Sequence, residues 1–384
     1  MQGLFAAPLR ISSLFAHMCQ NRGVTKLSAE YLEMLTQIRT QAAAVEKPTL
    51  LNSTSDSGGR HESGTVVGQP RKRLLFAFSF WLPKWQQVAA NLAEWHTHGE
   101  PCTGDAAPFM SLVMAPTFES NTSVAILASV KLLLHPALAA VRRCFNTIEW
   151  HTKANFTWPD SQYPQAPTKQ FFQLIFHPSF RSRFDVLWLM EQDIHPLRPT
   201  FLDALYREAL LPTFFWLKGT LNQGRPPYEK SPTESLLSNP SWVQLNKGWL
   251  YHINGAALYG LNFPLFDEVL RAARLLSTLN PHFPWDVTLE LVLKDVRNDC
   301  LTSRYSSVLC MAHGESVPSL VTFAIVKLIS TRVHYTDFVW NVGSQVANPE
   351  VLDAARAAGV YLLHGTASRL SMRNERRTSK RMNE

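Results

Sequence analysis

Cysteine is scarce in this 384-residue chain, and it is scattered. No two of Cys19, Cys102, Cys144, Cys300 and Cys310 form a C-x-x-C pair or stand at zinc-ligand spacing, so a zinc finger or ribbon is excluded. Five is odd, so at least one thiol stays free within a single chain. A Cys300–Cys310 disulfide and two free buried thiols are both open. Long apolar runs are missing too. No stretch reaches the roughly 18 uninterrupted apolar residues of a membrane helix, so no transmembrane segment is visible. Acids are missing from residues 1–29, where Arg10, Arg22 and Lys26 are found. That composition fits either a transit peptide or a disordered N-terminus. No RNP-like, zinc-finger or helix-turn-helix signature occurs. The net charge is +7, but Arg71, Lys72 and Arg73 form one basic cluster and Arg373, Arg376, Arg377, Lys380 and Arg381 another. Both lie in stretches that read as unfolded. The body is then closer to neutral, and no nucleic-acid partner is expected.

What the chain does have is apolar content, at 46% of residues, enough for a sizeable core. Residues 46–70 are rich in Ser, Gly, Thr and Pro and read as a linker. Residues 1–70 are therefore expected to be disordered or poorly ordered, with the body starting near Arg73 and a basic disordered tail at 371–384. Sequons at Asn52, Asn121 and Asn155 matter only if the chain enters the secretory pathway.

From Arg73 onward, apolar runs alternate with helical patterns. LLFAFSF (74–80), FMSLVMA (109–115), NTIEWHT and DVLWLM (185–190) read as strands. Residues 84–98, 123–145 (broken at Pro136), 168–176 and a stretch opening near Pro199 read as helices. The alternation predicts an α/β domain with a mixed, mostly parallel central sheet flanked by helices.

In such sheets ligands bind beyond the carboxyl ends of strands. Glu191 and Asp193 stand directly after the apolar run that ends at Met190. Carboxylates there can hold a hard divalent cation, and the cation can hold phosphate oxygens. An isolated E-x-D is equally read as a pair of solvated loop acids. Other polar groups stand where strands meet loops: Asn254-Gly255 within LYHINGAALYGL, which reads as a strand, an Asn-Gly turn and then a helix, Asp286 within HFPWDVTLELVL, TDFVWNVGS, and His364-Gly365 within GVYLLHGTASRL.

Together these segments resemble glycosyltransferases of GT-A (Rossmann-like) fold. More narrowly, they resemble a largely algal and protist group of glycosyltransferase-like proteins. That group carries W-M-E-P-D-x-x-P-x-R-P, H-I-N-G-N-A-x-Y and P-[FY]-D-V-A-L segments; this chain reads WLMEQDIHPLRP, HINGAALY and PWDVTL. YPQAPTKQFFQLI and FWLKGT are similar to two more of its segments. The resemblance runs from about residue 73 to 370, with segment order preserved. Gln192 replaces the proline of W-M-E-P-D, Ala256 the second Asn of N-G-N, and Thr220 a serine. Residues 300–331 are longer than the usual connection and are expected to be an insertion peripheral to the sheet.

The resemblance implies a metal-dependent transfer of sugar from a nucleotide-sugar donor, UDP-linked by expectation, to a glycan or glycoprotein acceptor. It implies Asp193 and His364 as metal ligands. Glu191, Asn254, Gly255 and Lys218 would lie against the donor, and Asp286 would serve as catalytic base. The metal would be Mn²⁺ (or Mg²⁺), since a histidine among carboxylates suits Mn²⁺ better than an all-oxygen Mg²⁺ site. Golgi localisation is implied too, although no signal anchor is visible in this chain. Each residue also has a plainer reading. His364 fits a histidine satisfied at a strand end, Asp286 a helix-opening acid that stabilises the dipole, and Lys218 a solvated lysine. A catalytically inactive relative that binds glycan or nucleotide sugar is the alternative function. A metal-dependent phosphohydrolase lacks an evident second-metal cluster.

Overall fold

The computed structural model describes residues 30–41 (without 32 and 39), 71–117, 122–151, 164–220, 253, 255–279, 281, 283–297, 328–342 and 346–365. Asn254, the three sequons, the linker, the basic tail, Cys300, Cys310 and residues 300–327 lie outside them.

Seven strands form the main sheet: β1 (Leu74–Trp81), β2 (Met110–Thr117), β3 (Thr147–Trp150), β4 (Val186–Met190), β6 (Leu217–Gly219), β7 (Leu258–Gly260) and β8 (Val333–Tyr335). Their order is β3-β2-β1-β4-β7-β6-β8. Every strand but β7 runs the same way. This is the mixed, mostly parallel α/β sheet that the alternation predicts.

The sheet is covered on both faces, and the side chains divide with the period of two that a strand imposes. On one face Leu75 and Ala77 of β1, Val113 and Ala115 of β2, and Leu187 and Leu189 of β4 enter a core with Phe171, Phe266 and Val292. These come from α4 (Gln165–Ile175), α7 (Pro264–Leu279) and α8 (Trp285–Arg297). On the other face Phe76, Phe78, Leu112, Met114, Trp188 and Met190 pack against α1 (Trp85–Glu94), α2 (Thr122–Leu133), α3 (Pro136–Val141) and α6 (Phe201–Leu210). Runs buried on both faces read as continuous apolar stretches, which is why β1 and β4 stand out in the sequence.

Pro136 separates α2 from α3 by a physical route. It occupies the first helical position of α3, where its missing N–H costs nothing, and His135 caps that helix by accepting from the Ala137 amide at 3.2 Å. Two short elements carry no sequence signal of their own: α5 (Pro178–Arg183) and β5 (Ile194–Pro196). With β9 (Val339–Asn341) and β10 (Leu362–His364), β5 makes a second sheet in the order β5-β10-β9. α9 (Pro349–Ala357), capped by Asn348, buries Ala355 beneath it.

Four expectations are corrected. The N-terminal region is not wholly outside the fold. The described residues among 30–41 are helical, and Tyr31, Leu35 and Ile38, at positions i, i+4 and i+7, are buried in the core. Burial at about 1.5–3 kcal/mol for each large apolar side chain holds a helix too short to be stable alone. The cluster Arg71–Arg73 is also engaged: Lys72 donates to the Ala209 carbonyl at 2.9 Å at the end of α6, and the Arg73 carbonyl accepts from Val186 at 3.3 Å. The chain after Asn254-Gly255 forms strand β7 instead of a helix. Finally, the insertion's last residues are not peripheral, because Leu328 and Ile329 are buried in the core just before β8.

Candidate metal centre

The site begins where β4 stops. The β1–β4 ladder ends at Phe78↔Met190, whereas β1 and β2 stay paired for three more residues, to Trp81↔Thr117. Glu191, the first residue past β4, therefore stands at a step in the sheet edge. The chain then turns into β5, whose Ile194 pairs with His364 of β10 in antiparallel register. The small sheet thus delivers His364 to the mouth of β4.

The contacts are direct. His364 Nε2 lies 3.2 Å from Asp193 Oδ1 and 3.4 Å from Glu191 Oε2. One ligand atom from each of the three lies within 4.8 Å of the others. Bonds of about 2.0–2.2 Å to a shared cation require donor atoms no more than roughly 4.5 Å apart. The acid side chains keep 26% (Asp193) and 29% (Glu191) of their exposure, which leaves a solvent side to the cluster. His364 Nδ1 and Gln192 Oε1 are buried without a hydrogen-bond partner among the described residues. One imidazole and two carboxylates at a strand end fit a divalent cation.

The electrostatics are those of mutual dependence. Burial alone would lower the His364 imidazole, but Asp193 and then Glu191 outweigh it and hold it well above its usual value. Burial would raise Asp193, yet the charge and hydrogen bond of His364 prevail and lower it. For Glu191 burial wins: its carboxyl is raised, with the charges of Asp193 and Asp286 adding to the rise and His364 opposing it.

The reversed strand β7 supplies the next part. Because β7 runs antiparallel to β4, its start lies at the carboxyl end of β4, and Leu189 donates to the Ala257 carbonyl there at 3.2 Å. Gly255 is brought against Glu191 in this way. A Cβ at Gly255 would sit 2.2 Å from Trp285 Cζ2 and 2.9 Å from Glu191 Oε1, so only glycine fits this approach. The aromatic wall beneath it is fixed. Trp285 stacks on Phe171 at 5.4 Å and donates to the Tyr259 hydroxyl at 3.3 Å, and that hydroxyl donates to the Gly255 carbonyl at 3.0 Å. Trp285 is therefore part of the core.

Asp286 opens α8 beside this turn. Its Oδ2 accepts the Gly255 amide at 3.1 Å, and its Oδ1 accepts the Val287 amide at 2.9 Å. Glu191, Asp193, His364, Gly255 and Asp286 thus converge. Asn254 lies outside the described residues. Lys218 does not converge with them, which corrects the expectation that it faces the donor. Its ammonium ion-pairs with Glu208 and donates to the carbonyls of Leu211 at 2.8 Å and Glu208 at 3.2 Å. It satisfies orphan carbonyls at the carboxyl end of α6, where a cation is favoured.

The sequence reading also missed a staple. Cys102 and Cys144 form a disulfide. The loop it ties down accepts the Thr200 and Leu202 amides at the carbonyls of Glu100 (2.7 Å) and Pro101 (3.0 Å), so it caps α6 in place of a side chain.

No family model matches the chain. No curated protein matches it either. Solved structures do resemble it, at low identity. The apo WbbM bifunctional glycosyltransferase shares 12% identity at a TM-score of 0.36, over 78% of this chain and 47% of that one. Mouse xyloside xylosyltransferase 1 shares 11% at 0.33, over 77% of this chain and 97% of that one. The mannosyltransferase Ktr4p of S. cerevisiae shares 12% at 0.33, over 67% and 75%.

Proposed function

We propose that this protein is a metal-dependent glycosyltransferase of GT-A-like fold that moves a sugar from a nucleotide-sugar donor, UDP-linked, to a hydroxyl of a glycan or glycoprotein. The observation that carries the reading is the convergence of Glu191, Asp193 and His364 at the carboxyl end of β4, with Asp286 tied to the same mouth through Gly255.

Asp193, His364 and Glu191 would hold the cation, Mn²⁺ by their chemistry. When bound, a divalent cation neutralises the diphosphate oxygens on which charge develops as the sugar departs. Asp286 would take the proton of the acceptor hydroxyl as its oxygen bonds the anomeric carbon and the sugar–phosphate bond breaks. The Gly255 and Val287 amides aim that carboxylate. The Gly255 turn, closed from below by Trp285, would form the wall along which the donor lies. The Cys102–Cys144 disulfide supports an oxidising compartment, such as the Golgi lumen, as the place of action.

The test is release of nucleoside diphosphate from a panel of nucleotide sugars, with Mn²⁺ and with a chelator. Turnover that requires the cation and disappears in Asp193→Asn supports the transferase. Tight donor binding without turnover indicates the inactive, binding relative instead. Release of phosphate from simple phosphoesters would point to a hydrolase.

A further inference from the structure

The strongest feature outside the ligand cluster is a part-buried chain of polar contacts behind it. His195 follows Asp193 by two residues on β5. Its Nδ1 lies 3.0 Å from both carboxylate oxygens of Glu94, and its Nε2 lies 3.2 Å from the Gly365 carbonyl. Both partners only accept, so a ring that bonds both donates from both nitrogens. Gly365 in turn donates its amide to the Asp193 carbonyl at 3.0 Å. The two backbone groups of Gly365 therefore bridge His195 and Asp193, and Gly365 is the residue directly after His364.

The other end of the chain is rigid. Glu94 is the last residue of α1. Three residues earlier on that helix, Asn91 is buried, donates to the Ile194 carbonyl at 2.7 Å and accepts from Trp95 Nε1 at 3.2 Å. One helix end thus grips β5 twice, at the backbone of Ile194 and at the ring of His195.

We propose that Glu94 and His195 are positioning residues for the metal centre: anchored on α1, they lock the His364-Gly365 segment at the end of β10 against Asp193, just before β5, so that two ligands from distant parts of the chain are held at one spacing. This rests on the reading of Glu191, Asp193 and His364 as metal ligands. Outer partners of ligands commonly change metal affinity by about 10–100-fold when removed. Neither residue is among the three candidate ligands.

The test combines two readouts on the full chain. The first is Mn²⁺ affinity by electron paramagnetic resonance for wild type, Glu94→Gln, His195→Gln and the double variant. The second is hydrogen exchange of the Gly365 amide in the metal-free protein, with melting temperature as the control for folding. We expect about tenfold weaker Mn²⁺ binding in each single variant and little further loss in the double, because the two act through one link. We also expect faster Gly365 exchange at a nearly unchanged melting temperature. Wild-type Mn²⁺ affinity and Gly365 protection retained in both single variants would overturn the proposal. A wild type that binds no cation, with Gly365 exchange still accelerated in the variants, would overturn the metal reading and leave the mechanical link standing. His195→Ala serves as the second variant if a glutamine ring-mimic keeps one of the two bonds.

Discussion

His364 and Asp193 are tied twice: their side chains meet at 3.2 Å, and the residue after His364 gives its amide to the Asp193 carbonyl at 3.0 Å. The backbone bond fixes the spacing of the two strands, and the side-chain contact follows from it. A pair set by backbone register is pre-formed, so little is left to order when a cation arrives.

That pre-formation has a proton cost. Burial disfavours the charged His364 imidazole, but Asp193 and Glu191 hold it well above its usual value, so it carries a proton that a cation must displace. Apparent Mn²⁺ affinity should fall by up to about tenfold per pH unit of acidification below the folded value. The empty fold behaves oppositely. A raised imidazole contributes its stability in full below about pH 6.5 and loses it as pH rises through the folded value. Calorimetric titration in buffers of different ionisation heat should count the released proton. An affinity flat with pH and no proton release would remove His364 from the ligand set.

Gly255→Ala should damage the site from the donor side. The new Cβ would stand 2.2 Å from Trp285, a ring held by Phe171 and Tyr259, so the turn must move instead. Overpacking of this kind costs about 1–3 kcal/mol. Chemical denaturation should show that loss, and donor turnover should fall with it. Wild-type turnover in this variant would mean that the turn does not shape the donor wall.

Asp286→Asn should separate chemistry from folding. The amide keeps one oxygen for the Gly255 or Val287 amide and leaves the other donor unpaired, so stability should fall by about 1–3 kcal/mol while the protein stays folded. Transfer should fall by about 10²-fold or more if the carboxylate is the base. Undiminished transfer would return Asp286 to the role of a helix-opening acid.

The disulfide should matter for stability and hardly at all for the ligand geometry. Cys102 and Cys144 are 42 residues apart, and in the chain-entropy view closing such a loop contributes about 4 kcal/mol. Reduction or Cys102→Ala/Cys144→Ala should lower stability by that order in denaturant titration. Identical unfolding midpoints with and without reductant would show that the bridge is not formed.

Most strands are legible in the sequence, and the way they pair is not. Val186–Met190 is apolar throughout, and Leu74–Trp81 is so except for Ser79, because both faces of the sheet are covered. Their polar successor Glu191-Gln192-Asp193 was conspicuous for that reason. Ile194–Pro196 is three residues long, too short for any periodicity; the strands within TDFVWNVGS and before His364-Gly365 are legible, but their joining with Ile194–Pro196 into a second sheet is long-range and leaves no local sign. AALYGL after Gly255 suits either helix or strand by its spacing; pairing with β4 decides for strand, and that is a long-range fact. In the sequence Lys218 reads as a lysine just after a strand, whereas it lies within β6. Nothing local announced that the end of α6 would claim it. His195 and Glu94 gave no signal, because a helix end and a short strand 101 residues apart meet only in the folded chain.

The central claim is that the mouth of β4 holds a cation and, through it, a diphosphate. The direct measurement is calorimetric titration of UDP into wild type, Asp193→Ala and His364→Ala, each with Mn²⁺ and with a chelator. The account predicts UDP binding to wild type that depends on Mn²⁺ and is lost in both variants while they remain folded. UDP binding of equal strength with chelator present, or unchanged in folded Asp193→Ala, would contradict it.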